Sequence, residues 1–285
     1  MIFFVPEMAL FITSLNSGSN GNCYYVANDT EAVLVDAGIS CRETEKRMGL
    51  LNLSMNKVKA IFISHEHTDH IKGVESIAEK YSLPVYITND TARRGRLHFK
   101  KQLINYFTGY EPVRIGGLSI TAFPKLHDAA DPHSFIISGN GITVGIFTDI
   151  GACCNHVTTH FSQCHAAFLE ANYDEAMLEE GRYPLFLKNR IRGGNGHLSN
   201  AQALEIFITH RPSFMTHLLL AHLSKDNNNP QLVQQLFSDH ANGIQIMIAS
   251  REEQTPVFII RAEDKKMVIK NRPAILLAPM QLKLF

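Results

Sequence analysis

The residues of this chain best suited to chemistry are the three histidines and one aspartate of Ser64-His65-Glu66-His67-Thr68-Asp69-His70. The stretch follows the apolar run Ala60 to Ile63, which is typical of a buried strand. In an extended turn, the first two histidines point to one side and Asp69 and His70 to another, so one loop can serve two metal ions. Imidazole and carboxylate suit Zn²⁺ well and Mn²⁺ or Fe²⁺ acceptably. The alternative is a histidine-rich surface loop, which rarely follows a core strand in this pattern.

The His-x-His-x-Asp-His pattern of residues 65–70 resembles the signature of the metallo-β-lactamase superfamily. That resemblance implies an α/β fold, a four-layer αββα sandwich of two mixed sheets with helices outside. It also implies two bound divalent cations, with zinc, manganese or iron as the candidates. A metal-activated water would then attack an ester, an amide or a phosphodiester. The family places its remaining ligands further along the chain, each after a strand.

Three later residues, His127, Asp149 and His222, match those ligand positions, and each follows a segment that predicts a strand. The implied ligands are His65, His67 and His127 for the first metal, Asp69, His70 and His222 for the second, and Asp149 as the bridge. Two such ions about 3.5–4 Å apart can share a hydroxide at neutral pH. Asp69 is also a catalytic candidate, because a ligating carboxylate keeps one oxygen free to orient that hydroxide.

Glu170 and the segment Gly196-His197-Leu198-Ser199 resemble site elements of the tRNA 3′-end endonuclease RNase Z. In that family a His–Glu pair serves phosphodiester cleavage. A histidine held by a carboxylate can stabilise charge on a phosphate and donate a proton to the leaving oxygen. Glu170 and His197 are therefore catalytic candidates. Ser199 and Gln202 also predict a capping box at the start of a helix, so the alternative is that His197 only caps or packs.

Six segments together resemble the WalJ (YycJ) group of small metallo-β-lactamase-fold proteins. They are Ser17–Cys23, His65–His70, His127–Ala129, Glu170–Asp174, Gly196–Asn200 and His222–Lys225. That resemblance covers roughly residues 9–250 and implies a DNA exonuclease, 5′→3′ in direction and linked to repair. The ligand set alone also allows two other functions. One is a small-ester or thioester hydrolase of the glyoxalase II or lactonase type, and the other is a non-catalytic metal-binding sensor.

The elements that must position these residues extend along most of the chain. Of the 285 residues, 45% are hydrophobic and 19% charged, which is ordinary for a globular protein and ample for a core. Because the candidate ligands are spread so widely, we expect one domain over residues 1–285, with a core at about 9–250 and a C-terminal extension at about 255–285. The segment Asn16–Asn22 predicts a hairpin turn, or an anion nest made of its backbone amides.

Further elements follow from periodicity. Ile71–Tyr81 predicts a helix, and a later helix is predicted to carry the cations of Arg93–Lys101. His156 and His160 have the spacing of a helical metal pair, but we favour a short structural helix because no carboxylate completes a separate site. Closing strands are predicted at Gln245–Ala249, Val257–Arg261 and Met267–Lys270.

The distribution of charge and the C-terminal residues indicate two candidate binding partners. The chain has 27 Lys and Arg residues and 27 Asp and Glu residues, so its formal net charge is zero. Binding to nucleic acid would therefore depend on local basic patches. The basic segments Arg93–Lys101 and Lys188–Arg192 are the candidates for binding DNA, and the alternative for each is a solvated charged face. The final residues Gln281–Phe285 resemble the peptide that binds the bacterial replication sliding clamp. The alternative for them is a packed tail or a last strand.

Cysteine usage and hydropathy favour a cytoplasmic protein. The five cysteines are an odd number with neither zinc-finger nor disulfide-scaffold spacing, which favours a reducing compartment. No run reaches the roughly 18 apolar residues of a membrane span, so no membrane contact is expected. The apolar start lacks the basic region and cleavage site of a signal peptide, and Met8 is an alternative first residue.

Overall fold

The computed structural model describes residues 8–98 and 100–262. Within them, the strands are β1 (Ala9–Asn16), β2 (Cys23–Ala27), β3 (Ala32–Val35), β4 (Val58–Phe62), β5 (Val85–Ile87), β6 (Ile104–Tyr106), β7 (Val113–Ile115), β8 (Leu118–Pro124), β9 (His133–Gly139), β10 (Ile142–Phe147), β11 (Ala166–Glu170), β12 (His217–Ala221), β13 (Gln245–Ile248) and β14 (Phe258–Arg261). The helices are α1 (Cys41–Leu50), α2 (Thr68–Ile71), α3 (Val74–Tyr81), α4 (Asn89–Arg94), α5 (Asn155–Phe161), α6 (Glu175–Glu180), α7 (Leu185–Arg192), α8 (Asn200–His210) and α9 (Pro230–Ser238).

The strands form two sheets, in the orders β14-β1-β2-β3-β4-β5-β6 and β13-β12-β11-β10-β9-β8-β7. Both sheets are mixed. In the first sheet, β14, β1, β2 and β3 pair antiparallel, and β3 to β6 pair parallel. In the second sheet, β7 to β10 pair antiparallel, and β10 to β13 pair parallel.

The two sheets pack face to face over a buried apolar layer. The ring centroids of Tyr24 in β2 and Phe168 in β11 are 4.9 Å apart, and those of Phe62 in β4 and Phe135 in β9 are 5.9 Å apart. The outer face of the first sheet packs against α1 and α3, and that of the second against α5, α8 and α9. The four-layer αββα sandwich predicted from the sequence is therefore confirmed.

The hairpin expected at Asn16–Asn22 joins β1 to β2. The anion-nest interpretation of this loop is wrong for several of its amides, because they already donate within the protein. Gly18 N donates to Asn22 Oδ1 at 3.0 Å, and Asn22 N donates to the carbonyl of Asp69 at 2.6 Å. The loop therefore contacts the neighbouring histidine-rich loop through its backbone.

The single helix predicted over Ile71–Tyr81 is wrong at its start, since α2 and α3 are separate helices. Gly73 lies between them, and its N–H donates to the carbonyl of Ala37 at 2.7 Å. A Cβ on Gly73 would overlap the carbonyl oxygen of Ile39. This close backbone approach requires glycine and interrupts the helix.

The helix predicted to carry the cations of Arg93–Lys101 is also shorter than expected. α4 begins after Thr88, whose side chain accepts a hydrogen bond from Thr91 N, and its C-cap is Gly95. Arg96 has a left-handed backbone with φ +50°, which a helix cannot continue. Arg96 and Lys100 therefore lie outside the helix, and Lys101 begins a short 3-10 turn, Lys101–Leu103.

The end of the chain is only partly described. β13 and β14 confirm the strands predicted at Gln245–Ala249 and Val257–Arg261. The strand predicted at Met267–Lys270 and the sequence Gln281–Phe285 lie outside the described residues. No helix of the described part is both long and apolar enough to cross a membrane.

Candidate metal centre

The candidate ligands meet at one edge of the sandwich, where strands of both sheets end. The histidine-rich loop follows β4, while His127, Asp149 and His222 follow β8, β10 and β12. Neighbouring parallel strands end at the same edge of a sheet, and ligands bind in the crevice outside those ends. The fold thereby brings together all of the side chains that the sequence predicted as ligands.

Three histidines, His65, His67 and His127, form the first cluster. His67 Nδ1 lies 3.1 Å from His65 Nε2 and 3.3 Å from His127 Nε2. Burial lowers the pKa of His127 to about 4, although the Asp149 carboxylate opposes that shift. Burial also lowers the pKa of His65. Convergent nitrogens on neutral rings are what a metal ion requires.

Asp69, His70 and His222 form the second cluster, with ligand atoms within 4.8 Å of one another. Asp69 Oδ2 lies 3.5 Å from His70 Nε2 and 3.4 Å from His222 Nε2. Burial disfavours a charged His222 ring, but the surrounding carboxylates, with Asp149 the strongest, raise its pKa to about 10. The same negative field favours a bound cation.

Asp149 lies between the two clusters. Its Oδ2 is 3.1 Å from His70 Nε2, and its Oδ1 is 3.9 Å from His127 Nε2 and 3.5 Å from His222 Nδ1. Oδ2 is buried and makes no hydrogen bond of acceptable geometry with the described residues. A buried carboxylate oxygen without such a partner is costly unless it is compensated. The buried Oδ2, with His70 Nε2 3.1 Å away, and the His/Asp donor set fit divalent cations.

Two of these candidate ligands, and one residue beneath them, have left-handed backbones. The φ angles are +60° for Asp36, +55° for Asp149 and +55° for His222. Each of the three directly or closely follows a strand of the parallel part of a sheet. A non-glycine residue in such a conformation costs about 1–3 kcal/mol and is typical of functional sites. These turns set the direction of the side chains at the sheet edge. No pattern in the sequence predicted the left-handed conformations.

Asp36 is a supporting residue that the sequence analysis did not identify. Its Oδ2 accepts from His70 Nδ1 at 2.7 Å and from Ser64 Oγ at 2.9 Å, and its Oδ1 accepts from Ser64 N at 2.8 Å. Ser64 Oγ in turn lies 2.9 Å from His65 Nδ1. Carboxylates of this kind fix the orientation and tautomer of ligating histidines. The only signal in the sequence was an aspartate directly after a predicted buried strand.

The loop between β1 and β2 supports the second cluster through side chains. Asn22 Nδ2 donates to Asp69 Oδ2 at 3.2 Å and lies 3.0 Å from His70 Nε2. Ser17 Oγ accepts from His222 N at 2.8 Å. The His222 carbonyl accepts from Asn172 Nδ2 at 2.7 Å. Ligands from both sheets are therefore tied to one another beneath the centre.

Glu170 and His197 form the pair that the sequence predicted. Glu170 Oε1 lies 2.8 Å from His197 Nδ1 and 2.9 Å from His222 Nδ1. Glu170 Oε2 accepts from Ile150 N at 2.8 Å. Burial would raise the pKa of Glu170, but the histidines, with His197 the strongest, lower it to about 2. The carboxylate is therefore ionised and held in a fixed position.

The predicted capping box at α8 is confirmed, with Ser199 as the N-cap and Gln202 as its partner. His197 is therefore not the cap of this helix. Its side chain is 17% exposed, and its ring centroid is 5.2 Å from those of His127 and His222. The ring thus faces the candidate centre. Its proximity to Asp149, Glu170 and His222 would also allow it to be a metal ligand.

His156 and His160 lie away from this centre in α5. His160 Nδ1 donates to the carbonyl of His156 at 2.7 Å, and its ring stacks on Phe123 at 4.0 Å. His156 Nδ1 lies 2.7 Å from the hydroxyl of Tyr110. Each ring therefore has a structural contact of its own.

The cations of Lys188–Arg192 already make ion pairs and hydrogen bonds within the protein. Arg190 Nε donates to Asp128 Oδ2 at 2.6 Å, Arg192 Nη1 lies 2.9 Å from Glu179 Oε2, and Lys188 Nζ donates to the carbonyl of Glu179. These contacts partly neutralise the segment as a phosphate-binding patch.

The other basic segment is less engaged. Arg93 pairs with Asp90 at 2.8 Å. Arg94 and Arg96 are exposed and have no ion pair with any residue that the structure describes. These two cations remain available for an anionic partner.

Comparison with known proteins shows the same family along most of the chain. A family profile described as "Beta-lactamase superfamily domain" matches residues 31–222. "Exodeoxyribonuclease YycJ" of Bacillus anthracis is 34% identical over 232 residues, which cover 80% of this chain and 87% of that protein. "Exodeoxyribonuclease WalJ" of Streptococcus pneumoniae is 30% identical over 235 residues, with the same 80% and 87% coverage.

A solved structure shows the same fold at lower identity. The metallo-β-lactamase fold protein YhfI from Bacillus subtilis matches with a TM-score of 0.67 and 17% identity, over 88% of this chain and 99% of that one. Together with the αββα architecture and the His/Asp clusters, these matches define the family. The chain belongs to the metallo-β-lactamase superfamily of hydrolases, in the group that contains WalJ and YycJ.

Proposed function

We propose that the protein is a dinuclear metal-dependent phosphodiesterase that degrades DNA as a 5′→3′ exonuclease. The observation that carries this proposal is the 2.8 Å contact between Glu170 and His197 beside the metal-ligand clusters. An ester hydrolase can use the same metal ligands but does not need this pair. The names of the two exodeoxyribonuclease relatives support DNA as the substrate.

The proposed ligand sets follow the two clusters. His65, His67 and His127 would hold one cation, Asp69, His70 and His222 the other, and Asp149 would bridge them. When bound, such cations make a water nucleophile available at neutral pH and neutralise charge on the phosphodiester. Zinc and manganese are the proposed metals, and iron is a further candidate.

Asp69 is proposed to orient the attacking water. Its side-chain contacts with Asn22, His70 and His222 all use Oδ2. Oδ1 is therefore the atom proposed to accept a proton from the water and to aim its lone pair at phosphorus. The side chain is 21% exposed, which gives it access to a bound strand.

His197 is proposed to act on the leaving group. Glu170 holds its Nδ1 proton, so Nε2 is the atom available to the substrate. An imidazolium stabilised by a buried carboxylate can neutralise a non-bridging phosphate oxygen and then donate a proton to the departing 3′ oxygen. Glu170 is a positioning residue in this scheme.

The proposal is tested by giving purified protein, loaded with Mn²⁺ or Zn²⁺, 5′-labelled single- and double-stranded DNA and, in parallel, a thioester. We expect mononucleotide release from the 5′ end, which a 5′-terminal phosphorothioate blocks and a 3′-terminal one does not. This activity should disappear in Asp69→Ala and His67→Ala. Thioester turnover with intact DNA would instead identify a small-ester hydrolase, and turnover of neither substrate would support a metal-binding sensor.

We also propose that Gln281–Phe285 binds the replication sliding clamp. Leu284 and Phe285 would fill an apolar pocket of the clamp, and Gln281 would fix the orientation through hydrogen bonds. Calorimetry with a peptide of residues 275–285 tests this directly, with a peptide lacking both apolar side chains as control. Absence of binding would remove the idea. A cytoplasmic role in DNA repair stays a prediction.

A further inference from the structure

Helix α7 (Leu185–Arg192) differs from the core helices because none of its residues is buried within the part of the chain that the structure describes. Leu185 is 64% exposed and Phe186 is 74% exposed. Phe186 is the most exposed large hydrophobic side chain among the described residues. A side chain this exposed contributes little burial energy to the fold, so its ring is available to a binding partner.

Polar contacts tie α7 to the neighbouring elements. Arg192 pairs with Glu179 of α6 at 2.9 Å, and Arg190 pairs with Asp128 at 2.6 Å. The carbonyl of Ile191 accepts from His197 N at 2.8 Å. The helix is therefore anchored to the candidate metal centre at its C-terminal end, while its N-terminal apolar residues face solvent.

These contacts place Phe186 beside the proposed site. Arg190 follows Phe186 by four residues, so both side chains lie on one face of the helix, about 6 Å apart along its axis. Arg190 contacts Asp128, whose Oδ1 lies 3.4 Å from His127 Nε2. A strand whose phosphate reaches the metal ligands would therefore pass Arg190 and bring a neighbouring base to Phe186.

We propose that Phe186 is a stacking platform for an unpaired nucleobase within a few nucleotides of the scissile phosphate. This inference rests on the proposed nuclease function and adds a binding subsite to it. Aromatic side chains stack on every base because each base has a π-face, so the contact would be insensitive to sequence.

A second copy of this chain is the other occupant to consider. A stable protein–protein interface buries about 800 Å² per partner. One exposed aromatic ring falls well below that area, whereas it matches the face of one base.

The test is a double-mutant cycle between Phe186 and the substrate base. The rates of wild type, Phe186→Ala and Phe186→Trp are compared on intact single-stranded DNA and on strands with one abasic residue at the first, second or third position from the 5′ end. We expect Phe186→Ala to raise KM roughly 5- to 100-fold on intact DNA, with a smaller change in kcat. We expect Phe186→Trp, which keeps an aromatic ring, to have the wild-type KM.

The abasic strands decide the assignment. At one abasic position the wild-type enzyme should lose the same factor, and Phe186→Ala should then equal wild type. Leu232→Ala, which truncates an exposed side chain on α9, serves as control and should behave as wild type on every strand. The melting temperature of each variant verifies folding.

Two results would overturn the stacking role. One is an unchanged KM for Phe186→Ala on intact DNA. The other is an equal loss on intact and abasic strands, and a change in molecular mass in solution alongside it would identify a contact between copies. If the wild-type protein cleaves no DNA at all, the proposed nuclease function fails instead, and that outcome is visible before any variant is compared.

Discussion

The buried carboxylate of Asp36 holds the buried ring of His70 in place, with 2.7 Å between Oδ2 and Nδ1. This contact directs His70 Nε2 toward Asp149 Oδ2, which is 3.1 Å away. The other Asp36 oxygen accepts from Ser64 N at 2.8 Å, so the carboxylate also fixes the start of the histidine-rich loop. One residue that binds no metal in our proposal thus organises both ligand clusters.

We expect Asp36→Asn to lower metal affinity by about 10- to 100-fold, as is usual for partners of ligating histidines. Asparagine tolerates the left-handed backbone of this position, so the loss should come from the hydrogen bond to His70 and not from strain. Metal titration of the stripped protein measures the affinity. Asp29→Asn, at an exposed position, is the matched control. Wild-type affinity in Asp36→Asn would contradict the orienting role.

We expect His197→Ala to lower turnover of DNA by about 10²- to 10⁴-fold, the range of a lost general acid. Metal content should stay near that of wild type, because His197 is not in the proposed ligand sets. Parallel metal analysis and kinetics check both quantities. A proportional loss of metal and activity would instead make His197 a ligand or a structural residue, which its proximity to Asp149 and His222 allows.

Gly38 allows the loop between β1 and β2 to approach the ligand loop, since its N–H donates to Asn22 O at 2.8 Å and a Cβ there would overlap the carbonyl of Asp69. We expect Gly38→Ala to reduce the free energy of unfolding by about 1–3 kcal/mol and to weaken metal binding. Gly49→Ala, in a helix with open space around its Cα, should be neutral or stabilise by up to about 1 kcal/mol. Urea unfolding distinguishes the two, and equal stabilities would refute the packing argument.

The salt dependence of DNA binding should differ between variants of a cation that is already in an ion pair and variants of a cation that is not. Arg94→Gln should weaken binding and lower the slope of log K against log salt by about 1, the value for one lost phosphate contact. Arg93→Gln should change the slope less, because Arg93 is already paired with Asp90 at 2.8 Å. Fluorescence anisotropy in a metal-stripped sample gives both slopes. Identical slopes for Arg94→Gln and wild type would exclude this residue from the interface.

The sequence predicted the site better than the details that support it. The candidate ligands from His65 to His222 were predicted because their order matches the metallo-β-lactamase signature, in which each ligand follows a strand. The left-handed turns at Asp149 and His222 and the role of Asp36 depend on contacts between distant segments, which no local pattern contains. The helix predicted over Ile71–Tyr81 began at the wrong residue for the same reason, because Gly73 contacts the distant residues Ala37 and Ile39.

Charge was the least predictable property. The segment Lys188–Arg192 reads as a basic patch along the chain. Its acidic partners, Asp128 and Glu179, come from outside α7, and the fold brings them against it. Counting the cations in this segment therefore overestimated how well it can bind phosphate groups. Only the three-dimensional contacts separated these cations from Arg94 and Arg96.

Metal loading should stabilise the fold, because the two clusters join loops of both sheets. At a metal concentration of 100 times Kd, each occupied site contributes about 2.7 kcal/mol, which raises Tm by roughly 5–10 °C per site for a chain of this size. Asp149→Asn should lose most of this metal-dependent shift, whereas Asp239→Asn, at an exposed position in the cap of α9, should keep it. Differential scanning calorimetry with and without metal measures the shift. An equal shift in Asp149→Asn would contradict the position assigned to Asp149.

The most direct test of the account is a crystal structure of the metal-loaded protein with anomalous scattering recorded at the metal edges. We predict two anomalous peaks about 3.5–4 Å apart, one beside His65, His67 and His127 and one beside Asp69, His70 and His222, with Asp149 between them. A single peak, or peaks remote from Asp149, would contradict the dinuclear centre.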